Sequence, residues 1–139
     1  MPSDFDRLVA DLQQQVIEQA LQVYSTKVVE SYYHPQNLGR LAQPDAHSVL
    51  QGPCGDTMEF FLRFRGMHVK RATFITDGCG PTVACGSVLT TMVEGLSLEE
   101  VASIEPEDLI DALGGLPEES VHCARLAIET LRAAIATRV

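Results

Sequence analysis

The sequence predicts an α+β domain: a three-stranded antiparallel sheet with helices packed on it, preceded by an N-terminal helical extension. Three observations point there. Apolar residues recur at helical spacing from Phe5 to about Ser31. Three short stretches rich in β-favouring residues follow, separated by loops and a glycine turn. From Pro81 onward the spacing returns to helical and stays so.

The first segment places Phe5, Leu8, Val9, Leu12, Val16, Ile17, Ala20, Leu21, Tyr24 and Val28 on one stripe, as one long helix or two. Ser3 or Asp4 is the candidate N-cap, and Pro35, Asn37 and Gly39 end the segment. Residues 35–45 read as a loop and "HSVLQG" as a short strand. "TMEFFLRFRG" (57–66) and "HVKRATFITDG" (68–78) read as a hairpin turning at Gly66. In the second of these, Val69, Arg71, Thr73 and Ile75 alternate with Lys70, Ala72, Phe74 and Thr76. Pro81 suits a helix start and Gly95 the position just past its end. Ser97 with Glu100 is a capping box, Pro106 and Gly114 bracket a short helix, and Val121–Ala136 is the last amphipathic helix.

The 139 residues suit one core of ordinary size, and 45% of them are hydrophobic, as in globular chains. The net charge of −9 opposes nucleic acid and anionic membranes as partners. No apolar run approaches the roughly 20 residues that span a bilayer. The N-terminus carries acids early and has no apolar core of a secretory signal, so a cytoplasmic protein is expected. Arg65, His68, Lys70 and Arg71 cluster near the hairpin, as a solvated turn or a docking patch for an acidic partner.

Four cysteines in such a chain point to metal binding or thiol chemistry rather than disulfides. "PCGDTM" puts Cys54 and Asp56 at the entry of the second strand. "DGCGPT" puts Cys79 between the third strand and the next helix, and "SVHCAR" puts His122 and Cys123 at the start of the last helix. A hairpin meander brings the start of its second strand and the end of its third to one end of the sheet. Thiolates with an imidazole or carboxylate suit zinc or an iron–sulfur cluster. Helix starts beside Cys79 and Cys123 favour thiolate, and the glycines beside Cys54 and Cys79 leave room near the backbone. His122 and Cys123, being adjacent, reach one metal together only outside regular helical geometry. Spacing alone leaves buried structural thiols and a redox or nucleophilic cysteine as alternatives.

"YSTKVVESYYHPQNLGRL", "PCGDTM", "TDGCGPTVACGS" and "LPEESVHCARLAIETLRAAI" resemble, in order, the motifs of the iron–sulfur cluster assembly scaffold family, which includes IscU and the N-terminal domain of NifU. The resemblance divides the chain into an extension, residues 1–23, and a scaffold domain, residues 24–139. It implies a carrier rather than a turnover enzyme. Such a carrier receives sulfur from a cysteine desulfurase, combines it with iron, holds a transient [2Fe–2S] cluster and passes it to apo-proteins. It implies cluster ligation by Cys54, Cys79 and Cys123, with His122 and Asp56 contesting the remaining position. Cys123 corresponds to the sulfur acceptor and Asp56 to the aspartate that tunes cluster lability. Zinc often replaces the cluster in isolated members of the family.

Three departures carry weight. Leu116 and Pro117 keep the start of the family's Hsp70-docking loop, but Glu118, Glu119 and Ser120 replace its Pro-Val-Lys, which predicts release without that chaperone. Cys85 stands where many relatives have serine; helical geometry turns it away from Cys79, towards a packing role rather than that of an extra ligand. Residues 1–23 either cover the domain's own apolar surface or form a subunit or partner interface through Phe5, Leu8, Leu12 and Val16, which leaves a homodimer open. The alternative function is a zinc-bound sulfur acceptor activating a desulfurase, like SufU, although the long insertion of those relatives is missing. A zinc hydrolase is the weakest reading, because no general base beyond Asp56 accompanies the ligands.

Overall fold

Ser25 decides the length of the first helix. In the computed structural model of the chain, which describes residues 3–78 and 80–137, Tyr24 is extended and the Ser25 hydroxyl accepts from the Val28 N–H at 3.1 Å. The apolar stripe therefore breaks into α1 (Asp4–Val23) and α2 (Thr26–Tyr33). The Ser25 hydroxyl also donates to the Leu113 carbonyl, tying the start of α2 to a distant turn. Ser3 caps α1 in a reciprocal box with Asp6.

Three strands follow: β1 (Ala46–Gln51), β2 (Thr57–Arg65) and β3 (His68–Thr76). They form one antiparallel sheet in the order β1-β2-β3. Then come α3 (Gly80–Val93), α4 (Leu98–Ala102), α5 (Pro106–Ala112), a single 3-10 turn (Glu118–Ser120) and α6 (Val121–Ala136). Ser97 and Glu100 form the expected capping box on α4, and Pro106 opens α5. Among the described residues no helix is long and apolar enough to cross a membrane.

The simple alternation expected for β3 fails at one place. Arg63 pairs with Arg71 but Phe64 pairs with Val69, so Lys70 is an extra residue in the ladder. The bulge turns Val69 into the core beside Ala72 and Phe74, the residues with which it strictly alternates. Alternation read along one strand cannot show a bulge, which is a property of the pair.

The helices cover one face of the sheet, α6 lying over β1 and β2 and α3 over β3. Met58, Phe60 and Leu62 from β2 meet Leu89 from α3 and Ala127, Ile128 and Leu131 from α6, all of them buried. Close approach of α3 depends on Gly86. A Cβ there would lie 2.3 Å from the Phe74 ring, so the usual helical cost of glycine, about 1 kcal/mol against alanine, is offset by packing that no other residue allows. The opposite face carries Glu59, whose carboxylate lies 2.5 Å from the His47 ring and 3.7 Å from Arg40.

The extension does not cover the domain. No residue of α1 is buried, and Phe5, Leu8, Leu12 and Val16 are more than half exposed. Its last turns, through Val16, Ile17, Ala20 and Leu21, lie beside Val29 and Tyr33 of α2. The extended Tyr24 lets α1 leave the domain at its foot. The basic hairpin cluster is solvent-exposed at the turn between β2 and β3. It lies a full strand length, roughly 25–30 Å, from the end of the sheet where β2 begins.

Two stability outcomes follow. Gly86→Val lowers the free energy of unfolding by about 1–3 kcal/mol through overpacking against Phe74. Removing residues 1–15 changes it by less than about 0.5 kcal/mol, as expected where nothing buried is lost. Denaturant midpoints at equal slope measure both.

Candidate metal centre

The register of the hairpin builds the site. Met58 pairs with Thr76, so the chain entering β2 and the chain leaving β3 lie side by side. Side-chain hydrogen bonds extend the pairing beyond the strands. The Thr57 N–H donates to Asp77 Oδ1 at 2.7 Å, the Thr76 hydroxyl to the Thr57 carbonyl at 2.6 Å, and the Gly78 N–H to Thr76 Oγ1 at 3.0 Å. The β1–β2 loop is closed by Gly52 N–H to the Asp56 carbonyl at 2.8 Å and Gly55 N–H to the Gly52 carbonyl at 3.0 Å. It presents Cys54 to solvent and leaves Asp56 half-buried.

Two helix starts complete the end of the sheet. α3 brings Pro81 and Thr82, and α6, entered from the Glu118–Ser120 turn, brings His122 and Cys123. Both of these last residues lie inside the first turn of regular helix, not before it as their adjacency suggested, and Cys123 Sγ is still 3.6 Å from His122 Nε2. Cys123 is 4% exposed. Cys54, Asp56, His122 and Cys123 line one cavity of about 260 Å³, together with Tyr24, Pro81, Thr82 and Ser120. Cys79 lies outside the described residues, which stop at Gly78 and resume at Gly80.

The structure thus brings Cys54, Asp56, His122 and Cys123 to one cavity, and links Asp56 to Cys123 through a residue the sequence reading did not single out. The Thr82 hydroxyl donates to Asp56 Oδ2 at 2.9 Å and stands 3.3 Å from Cys123 Sγ. Gly78 makes room for this arrangement: a Cβ there would be 2.8 Å from both Asp56 Oδ2 and the Thr82 side chain. The space expected beside the glycines is therefore filled, at Gly78, by the site's own side chains, while around Gly55 and Gly80 it is open. Tyr24, Thr82 and Ser120 come from the link between α1 and α2, from α3 and from the turn before α6, and no spacing signal in the sequence relates them. Among the described residues, no three His, Cys, Asp or Glu side chains close into a finished metal cage.

An adjoining cavity of about 280 Å³ shares Tyr24 and Pro81 but is otherwise lined by residues such as Val16, Val28 and Tyr32. The described residues around it include no thiol, imidazole or carboxylate, so the ligand chemistry belongs to the smaller cavity.

Cys85 behaves as packing. It is fully buried in the core, and burial pushes its thiol well up, with the neighbouring Cys123 sulfur adding to the shift. At neutral pH it stays protonated and can serve neither as ligand nor as nucleophile without a change in structure.

Residues 23–138 match the model of the NifU-like N terminal domain, and the chain belongs to that family. It is 34% identical over 114 residues to an iron–sulfur cluster assembly scaffold protein, IscU 1, of Archaeoglobus fulgidus, spanning 81% of this chain and 74% of the relative. It is 37% identical over 118 residues to the iron–sulfur cluster assembly scaffold protein IscU of Haemophilus influenzae, spanning 81% of this chain and 93% of the relative. The N-terminal NifU-like protein of Brucella abortus shares the fold, with a TM-score of 0.67 at 20% identity over 82% of this chain and 92% of that one. The α+β architecture expected from the sequence is the family's.

In the reduced, metal-free protein, iodoacetamide modifies Cys54 more than about tenfold faster than Cys85, because Cys54 is exposed on a loop while Cys85 is sealed in the core with its thiol held protonated. Peptide mass spectrometry reads both sites, and unfolding the chain removes the difference.

Proposed function

We propose that this chain is a scaffold on which a transient [2Fe–2S] cluster is assembled from iron and desulfurase-derived sulfur and then handed to apo-proteins. The observation that carries the proposal is the convergence of Cys54, Asp56, His122 and Cys123 on one cavity, in a chain belonging to the NifU-like family. The names of the Archaeoglobus and Haemophilus relatives support it.

The chemistry of the donors fits that task. Cys54 and Cys123, with Cys79 beside them in sequence order, supply the soft ligands that iron–sulfur clusters take. Asp56 or His122 takes the remaining position and leaves it weaker than a fourth thiolate would. A carrier needs that weakness, since cargo held by four thiolates is released slowly. The acidic surface, net −9, favours approach of cationic iron.

Sulfur arrives by thiol–persulfide exchange. The Cys123 thiolate attacks the outer sulfur of the desulfurase's persulfide; that S–S bond breaks, the donor cysteine leaves as thiolate, and a new S–S bond forms on Cys123. Electrons for the later reduction of sulfane sulfur to sulfide come from an external donor. The chain itself acts as carrier, not as a turnover enzyme, and the same donors would hold zinc in the isolated protein. With Glu118, Glu119 and Ser120 in place of the family's Pro-Val-Lys, handover in this reading proceeds without the specialised Hsp70.

Anaerobic incubation with iron, cysteine and a cysteine desulfurase is expected to produce [2Fe–2S] visible absorption at about one cluster per site. Cys54→Ala abolishes it and Cys85→Ser leaves its iron and sulfide stoichiometry unchanged. Tight zinc binding that persists with no cluster formed would replace this reading with that of a zinc-bound sulfur acceptor.

A further inference from the structure

Thr82 lies in the first turn of α3 and is 1% exposed. Its hydroxyl oxygen stands between two groups assigned to the cargo site, 2.9 Å from Asp56 Oδ2 and 3.3 Å from Cys123 Sγ. A hydroxyl carries one hydrogen, so it donates to one of them at a time and can only accept from the other. The Gly78 backbone closes over the pair so tightly that no side chain there could replace the contact.

We infer that Thr82 is a positioning residue, a clasp whose hydroxyl engages Asp56 and Cys123 in competition with cargo and thereby favours its release. The inference rests on the scaffold reading for what the cargo is, but not for the clasp itself. A cation shared by a carboxylate and a thiolate sits about 2.0–2.2 Å from oxygen and about 2.3 Å from sulfur. Both distances are shorter than the contacts the hydroxyl makes. A shared cation holds the oxygen and the sulfur within about 4.5 Å of each other and draws on the lone pairs that the hydroxyl engages, so cargo and hydroxyl compete for the same two atoms. When cargo departs, the hydroxyl bonds the two groups again. Free energy gained in the empty state is lost to binding, so by linkage the clasp weakens holding and speeds handover.

Thr82→Val keeps the shape and removes the hydroxyl; Thr82→Ser keeps the hydroxyl; Thr82→Ala is the substitute should valine fail to fold. The metal-free protein is read first, by the rate at which Cys123 is alkylated. Thr82→Val is expected to raise that rate about tenfold, and Thr82→Ser to restore the parent value, a rescue that altered packing alone would not give. Zinc then binds the valine variant about tenfold more tightly, and a reconstituted cluster passes to an apo-ferredoxin about tenfold more slowly. Equal behaviour of the valine and serine variants, or an unchanged Cys123 rate in valine, overturns the clasp. Failure of the parent protein to form any cluster overturns the scaffold reading instead, while the Cys123 rates still judge Thr82.

Discussion

The locked junction between β2 and β3 is the constraint on which the site depends. Ladder pairing alone would bring the two strand ends near each other. The Thr57–Asp77, Thr76–Thr57 and Gly78–Thr76 hydrogen bonds carry the pairing past the last ladder residue and fix the chain up to the glycine before Cys79. That places Asp56, one residue before β2, against Thr82, at the start of α3. The packing of α3 and α6 on the same sheet face then sets the two helix starts side by side, with Cys123 against Thr82. Three segments far apart in sequence thus meet at one end of a small sheet, and none could hold the arrangement alone.

Much of this was legible in the sequence for physical reasons. Helical and strand periodicities reflect burial on one face, and the cap at Ser97 and the helix-opening Pro106 are local chemistry. The soft ligands at element boundaries were visible because few structural roles place a thiol beside glycine at a strand end. What could not be read involved partners in space. The bulge at Lys70 belongs to a strand pair, the break at Ser25 depends on one side chain choosing a cap over helix continuation, and Thr82 in a helix looks like any other small residue. The amphipathicity of α1 showed a stripe but not what the stripe faces, so the sequence left open whether it covers the domain or forms an interface; in the structure no residue of α1 is buried.

The site combines features that oppose tight holding. Two donors other than thiolate stand near the cysteines, and a buried hydroxyl occupies the space between a carboxylate and a thiol. In a resident metal site such features would be faults. For the proposed cargo carrier, they would set the balance between binding and release. Cys85 shows the contrast: a thiol close to Cys123, yet sealed in the core and held protonated, so that it cannot complete a tighter cage.

The central claim is that residues from the β1–β2 loop, the β3–α3 junction and the start of α6 form one cargo site. A backbone amide chemical-shift map on stoichiometric addition of zinc to the metal-free protein tests it directly. The account predicts perturbations concentrated in residues 52–57, 76–83 and 120–124, appearing together along a single titration. Shifts centred on the basic hairpin near Arg65 and Lys70, or confined to one of the three segments, would contradict it.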